Sequence, residues 1–241
     1  MSIPTEAVPI PDRVRELAAG AGLVPVWRNG LGGRTYRSDD DRYIKHGPRN
    51  PETTMAGEAE RLRWARPYAV VPEVLETGHD ATSEWLVTRA LPGLSAVDPR
   101  WVAEPAVAVA AVGAGLRALH DALPVDACPF DWTVPARLAK AAARGIRVPD
   151  ALGSAPPVDV LVVCHGDACC PNTLLDDRGA PLAHVDLGAL GVADRWADIA
   201  VAAMSTEWNY GPGWEDALLA AYGVEPDPER LAYYRDLWNA T

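Results

Sequence analysis

The chain has 241 residues and is 49% hydrophobic, with nine tryptophans and seven tyrosines, which is enough apolar material for a sizeable core and excludes a disordered polymer. Its formal net charge is −11 and it has no cluster of Lys and Arg, which excludes the basic footprint of a nucleic-acid binder. An acidic surface of this kind is compatible with a cationic small ligand and equally with simple solubility.

Cys128, Cys164, Cys169 and Cys170 lack the spacing of a metal site and read as reduced thiols. The first residues carry no apolar signal-peptide core. The longest apolar stretch, 102–119, contains Glu104, Pro105 and Arg117 and is too polar to cross a bilayer. A cytoplasmic protein with no membrane partner is expected.

In chain order, residues 12–19 read as a short helix ended by Gly20 and Gly22. The run VPVWRNGLGGRTYRSDDDRYIKHG reads as strand, glycine-rich turn, strand, acidic turn and strand, with Lys45 near the end of the third strand. Residues 53–65 have helical spacing that puts Glu58, Leu62 and Ala65 on one side. VVPEVLETGHD and SEWLVTRALPG read as two further strands. Residues 1–90 thus form an antiparallel sheet with a helix, and 91–241 a second, mainly helical lobe. The linker is expected at 91–98, with a hinge near 88–95 and a cleft between the lobes.

Within the second lobe, 105–122 is apolar all round and is expected to be a central helix. A short helix is expected at 137–143 and a loop at 149–157. VDVLVVCHGD reads as a buried strand, and NTLLDD and LAHVDLG as paired strands around a turn at 176–179. Further helices are expected at 194–204, 213–222 and 228–238.

The chemistry is carried by His165-Gly166-Asp167, Asn172 five residues after Asp167, and Asp186 in the next strand-like run. This is the protein-kinase spacing, with Gly166 in place of the arginine. A carboxylate there sits beside an attacking hydroxyl, and an amide and a second carboxylate supply hard oxygens for magnesium. Lys45 suits ATP phosphates, and Glu58, thirteen residues later, suits pairing with that lysine. Gly30, Gly32 and Gly33 permit a tight turn whose amides approach phosphate. No GKS or GKT follows, so the turn is not a Walker A loop. His165 reads as a residue that holds backbone.

The stretches GLGGRTY, YIKHGP, GEAERLRW, WLVTRALPG, LRALHDALPVDACPFD, VVCHGDACCPNTLLDD, HVDLGALGVADRWADIAVA and RLAYYRDLW resemble the aminoglycoside phosphotransferase family, in particular its 3'- and 3''-type antibiotic kinases. The resemblance implies an α+β, protein-kinase-like, two-lobed fold. It also implies ATP and Mg2+ as cofactors, and a cationic antibiotic as the partner, phosphorylated at a 3'- or 3''-hydroxyl. It makes Asp167 catalytic and Asn172 and Asp186 metal ligands. Lys45, braced by Glu58, meets the phosphates, and the segment from Thr88 to Ala90 meets adenine. Acidic residues near the acceptor would face drug ammonium groups: Asp194, Glu207 and Asp236 are the candidates, with Trp208 as an apolar wall.

The chain departs from the family at Ala189, where an arginine is common, in its short 149–157 segment, and at Trp238 and Asn239, where many 3'-enzymes are acidic and aromatic. The acceptor therefore stays open to another cationic natural product or an amino alcohol. A non-catalytic kinase-like binding protein is the remaining alternative.

Overall fold

In a computed structural model, residues 9–30, 32–50 and 54–241 are described. Leu31 of the glycine-rich turn, and Thr53 at the start of the expected helix 53–65, lie outside the described residues. The chain divides into two units, Met1–Pro67 with Val71–Leu91, and Tyr68–Val70 with Pro92–Thr241.

The first unit opens with α1 (Asp12–Ala18), which ends at Ala19 in the left-handed region (φ 53°). Strands β1 (Leu23–Arg28), β2 (Arg34–Ser38), β3 (Arg42–Pro48), β4 (Val74–His79) and β5 (Ser83–Arg89) form one antiparallel sheet in the order β1-β2-β3-β5-β4. Between β3 and β4 lies α2 (Met55–Ala65), capped by the Thr54 hydroxyl, which accepts from the Gly57 amide at 2.9 Å.

Alternation decides which helix each strand residue meets. Tyr36 pairs with Ile44, and both pack with Trp85 and Val87 against Val14 and Ala18 of α1. Thr35 pairs with Lys45, which points the other way and reaches α2. Lys45 occupies the middle of β3, not its end as expected. The strand continues to Pro48 because His46, Gly47 and Pro48 still pair with β5.

The second unit is built on α4 (Pro105–Ala122). Its all-round apolar surface is explained by burial of Ala108, Val109, Val112, Leu116 and Leu119. Gly113 lets α7 (Glu215–Tyr222) come close: a Cβ at that position would lie 2.7 Å from the Leu218 carbonyl oxygen. Helices α6 (Trp196–Tyr210) and α8 (Pro228–Ala240) pack against each other and share the core with Trp101, Leu218, Leu219 and Leu237.

Two small sheets position the site. Strand β6 (Leu94–Ser95) pairs with β8 (Thr173–Leu175), which pairs with β9 (Pro181–His184). Strand β7 (Leu161–Cys164) pairs with β10 (Gly191–Asp194).

Several expectations are corrected here. The linker 91–98 contains β6. Two elements escaped the periodicity altogether, β10 and the one-turn helix α3 (Pro99–Val102). Helix α5 (Val134–Ala143) begins three residues earlier than expected, because the Thr133 side chain caps it ahead of a proline. The 149–157 loop contains a 3-10 turn over Asp150–Gly153. The apolar run before the HGD turn is buried only from Val162 onward, and Val158, Val160 and Leu161 are exposed. No helix among the described residues is long and apolar enough to cross a membrane.

Candidate active site

The HGD turn leaves β7 and is pinned from beneath. Asp198, fully buried on α6, accepts the His165 amide at 2.5 Å and the Gly166 amide at 2.9 Å. His120 of α4 approaches the same carboxylate with Nε2 at 3.0 Å, and its Nδ1 lies 2.8 Å from the Tyr222 hydroxyl. A carboxylate accepts only, so His120 Nε2 carries the proton and Nδ1 accepts from Tyr222. Burial alone would push Asp198 up. The bond from His120, the neighbouring His120 and His165 imidazoles and the Gly166 amide outweigh it and hold the carboxyl below its ordinary value.

His120, Cys164 and Asp198 lie close enough together to suggest a metal cluster. The bonds just described already commit the imidazole and both carboxylate oxygens to the protein.

The His165 ring fixes the turn from above. Asp167 N–H donates to Nδ1 at 3.3 Å, so Nε2 carries the hydrogen and donates to the Val185 carbonyl at 3.0 Å. Gly166 is required by two facts: its φ is 84°, and a Cβ there would lie 2.2 Å from the Ala189 carbonyl oxygen.

This scaffold holds Asp167 in a desolvated position. Burial pushes its carboxyl up from the ordinary range, and the nearby Asp186 charge pushes the same way, while Cys169, His165 and Asn172 act in opposition. Asp167 Oδ1 is buried with no protein donor among the described residues. A buried carboxylate oxygen without a donor is what a group awaiting a substrate hydroxyl would present.

Asn172 ends a 3-10 turn over Cys170–Asn172, and its Nδ2 donates to the Asp167 carbonyl at 2.9 Å. That bond commits the amide nitrogen to the protein, so the oxygen is the atom of this side chain with the chemistry to meet a metal. Asp186, after β9, has φ 66°, a strained conformation for a non-glycine residue that is found at functional sites. An amide oxygen and a carboxylate form a hard-oxygen donor set that fits magnesium.

In the first unit, Lys45 Nζ lies 2.7 Å from Glu58 Oε1, and both side chains are largely shielded. Gly32 (φ 85°) shapes the turn between β1 and β2, and Gly33 N–H donates to Asn29 Oδ1 at 2.7 Å. A Cβ on Gly33 would meet that asparagine, whereas one on Gly30 meets nothing within 4 Å.

Thr88 is paired with both Tyr43 and Val74, so it lies inside the sheet and not at its edge, and Ala90 N–H donates to the Asp41 carbonyl at 2.8 Å. The Ala90 amide is thus bonded within the protein.

Asp194 is buried at the end of β10, where it accepts the Trp196 and Asp159 amides at 3.0 and 2.9 Å. It starts α6 and is not presented to a ligand, which corrects its assignment as an acceptor contact. Glu207 and Trp208 are exposed near the end of α6, and Asp236 is exposed on α8.

Sequence reasoning gives no role to His120, and it counts Asp198, one helical turn from Asp194, among the acidic candidates for the acceptor side and as partly structural. The signal for Asp198 was present: a carboxylate amid Ala, Ile and Val on a helix must be paired if it is buried.

A sheet with its helix followed by a mainly helical unit, together with the pinned HGD turn, defines a protein-kinase-like phosphotransferase. The chain belongs to the phosphotransferase enzyme family, whose model matches residues 23–234. It is 40% identical over 224 residues to an aminoglycoside 3'-phosphotransferase of Streptomyces fradiae, covering 80% of this chain and 83% of the relative. Among solved structures it resembles an aminoglycoside 3'-phosphotransferase of type VIII, with TM-score 0.76, 31% identity, and 95% and 98% of the two chains covered. It also resembles a 3''-type aminoglycoside phosphotransferase of Streptomyces rimosus in complex with ADP and streptomycin, with TM-score 0.71, 26% identity, and 96% and 99% covered. The protein is therefore an enzyme of the small-molecule phosphotransferase class.

Proposed function

We propose that this enzyme transfers the γ-phosphoryl group of ATP to a 3'- or 3''-hydroxyl of an aminoglycoside antibiotic and so confers resistance. The observation that carries the reading is Asp167, a desolvated carboxylate with an unpartnered Oδ1, held on a turn that Asp198 and His165 pin from two sides. The 40% identity to a 3'-enzyme favours the 3'-type hydroxyl. The likeness to the structure with ADP and streptomycin favours the nucleotide and keeps a 3''-acceptor as the second reading.

Lys45, oriented by Glu58, pairs with the ATP phosphates, and the amides of Gly30 and Gly32 approach them, that of Gly33 being bonded to Asn29. Asp167 orients the acceptor hydroxyl and takes its proton as the oxygen attacks the γ-phosphorus, and the bond from that phosphorus to the β–γ bridging oxygen breaks, leaving ADP. Magnesium, held by the Asn172 oxygen and the Asp186 carboxylate, would neutralise phosphate charge. Most of the catalytic effect is positioning and electrostatics. Glu207 and Asp236 supply negative charge for drug ammonium groups, with Trp208 as an apolar wall. The units 1–90 and 91–241 act as the nucleotide and the catalytic and acceptor parts. The enzyme works in the cytoplasm, where ATP is supplied, and its four cysteines are free thiols.

The test is incubation of the purified protein with MgATP and kanamycin-type or streptomycin-type drugs, read by mass spectrometry, with the phosphate located by two-dimensional NMR. Phosphate on a 3'- or 3''-oxygen is expected. Binding of MgATP without phosphate on either drug class would refute the acceptor and leave another cationic natural product as the substrate to seek.

A further inference from the structure

Helix α6 meets the loop that carries Asp167 at two points. Asp198 holds the amides of His165 and Gly166 at the start of the loop. Ser205 holds the amide of Cys170 at its far end, with Oγ accepting at 2.8 Å. Ser205 follows Asp198 by seven positions, about two helical turns, so both side chains leave the same face of the helix. Both residues are wholly buried, at 0% exposure.

The loop sequence explains why a second contact is needed. Cys170 opens the 3-10 turn over Cys170–Asn172, and an N–H at that position has no partner inside the turn. Pro171 has no N–H, and the Asn172 N–H donates to the Cys169 carbonyl at 2.9 Å. The buried Cys170 N–H is left to find an acceptor outside the turn, and Ser205 supplies it. Asn209, one turn further along α6, fixes the serine: its Nδ2 donates to the Ser205 carbonyl at 2.7 Å and to Oγ at 3.1 Å. The turn held in this way ends on Asn172, whose side chain holds the Asp167 carbonyl.

We propose that Ser205 is a positioning residue for phosphoryl transfer, anchoring the far end of the loop so that Asn172 and Asp167 keep their mutual placement. This rests on the reading of Asp167 and Asn172 given above. Ser205 is wholly buried and touches neither nucleotide nor acceptor, so it acts through the Cys170 amide and the turn that follows. Thr206 supplies the contrast. It is also buried on α6, but its hydroxyl donates to the Ala203 carbonyl of its own helix at 2.7 Å.

The test compares Ser205→Ala, Asn209→Ala and Thr206→Val in the full chain, by amide hydrogen exchange followed by NMR and by steady-state transfer from MgATP to an aminoglycoside. In Ser205→Ala the Cys170 and Asn172 amides are expected to exchange roughly tenfold faster or more, while Asp198 keeps His165 and Gly166 protected. The kcat is expected to fall roughly tenfold with little change in the KM of the drug. Asn209→Ala keeps the hydroxyl and is the milder variant if Ser205→Ala does not fold; it is expected to move both readouts the same way by roughly threefold. Thr206→Val is expected to leave both readouts parental, whatever it does to the melting temperature. The proposal is overturned if Asn172 exchange and kcat stay parental in the folded variants, if Cys170 alone exchanges faster, or if Thr206→Val slows transfer as much as Ser205→Ala. If the parent transfers no phosphate to an aminoglycoside, the acceptor reading fails, and the Asn172 exchange still decides whether Ser205 holds the loop.

Discussion

The carboxylate of Asp198 holds the backbone of Gly166, with Oδ1 2.9 Å from that amide, so a side chain from α6 sets the position of the turn that carries Asp167. The same carboxylate accepts the His165 amide and meets His120. Asp198→Asn replaces one acceptor oxygen with a donor that faces other donors. Breaking a buried, multiply bonded carboxylate of this kind is expected to cost about 3 kcal/mol of stability. Turnover should fall by more than ATP affinity, because the displaced group is Asp167. Urea unfolding and steady-state kinetics read the two effects, and parental stability in the variant would remove Asp198 from its anchoring role.

Asn172 and Asp186 are expected to act through the metal. Asn172→Ala and Asp186→Ala should weaken binding of MgATP while leaving metal-free ATP and the drug alone nearly unaffected, with the carboxylate the more sensitive of the two. Calorimetric titrations of each variant with and without magnesium make the comparison. Unchanged MgATP affinity in both would mean that the hard-oxygen pair does not hold the ion.

Stability should decline in acid partly through His184. Burial holds its imidazole neutral down to about 3, the His165 charge adding to the effect and the Gly115 carbonyl opposing it. Above an ordinary histidine value of about 6.5 neither the folded nor the unfolded state holds the proton there. Below that value the unfolded chain takes it up and the folded protein does not, so stability falls as the pH drops from about 6.5 toward about 3, by at most about 1.4 kcal/mol per pH unit from this group. His184→Gln, which can still donate to the Gly115 carbonyl, should flatten that part of the curve. Urea unfolding across the range checks this, and an unchanged slope would assign the acid sensitivity to other groups.

Much of this was legible in the sequence because the decisive signals are local. The run of strand, acidic turn and strand over 34–48 marked the hairpin that pairs Thr35 with Lys45. The apolar surface of 105–122 marked a buried helix, and the five-residue offset from Asp167 to Asn172 marked the loop that brings them together. What escaped depends on contacts distant in the chain. Strand β10 has four residues and exists because β7 is there to pair with it. Asp194 looked like a drug contact and is a buried helix-starting residue, since a carboxylate's partners cannot be read from its neighbours in sequence. Asp198 and His120 meet across 78 residues, and that pairing carries no local signature.

The central claim is that Asp167 activates the acceptor hydroxyl, and the most direct measurement is transfer of phosphate from MgATP to an aminoglycoside by Asp167→Asn. Asparagine keeps the shape of the side chain and removes the basic oxygen. Transfer is expected to fall by roughly 10²-fold or more, with MgATP affinity and melting temperature close to those of the parent. Near-parental turnover in a folded, MgATP-binding Asp167→Asn protein would contradict the account.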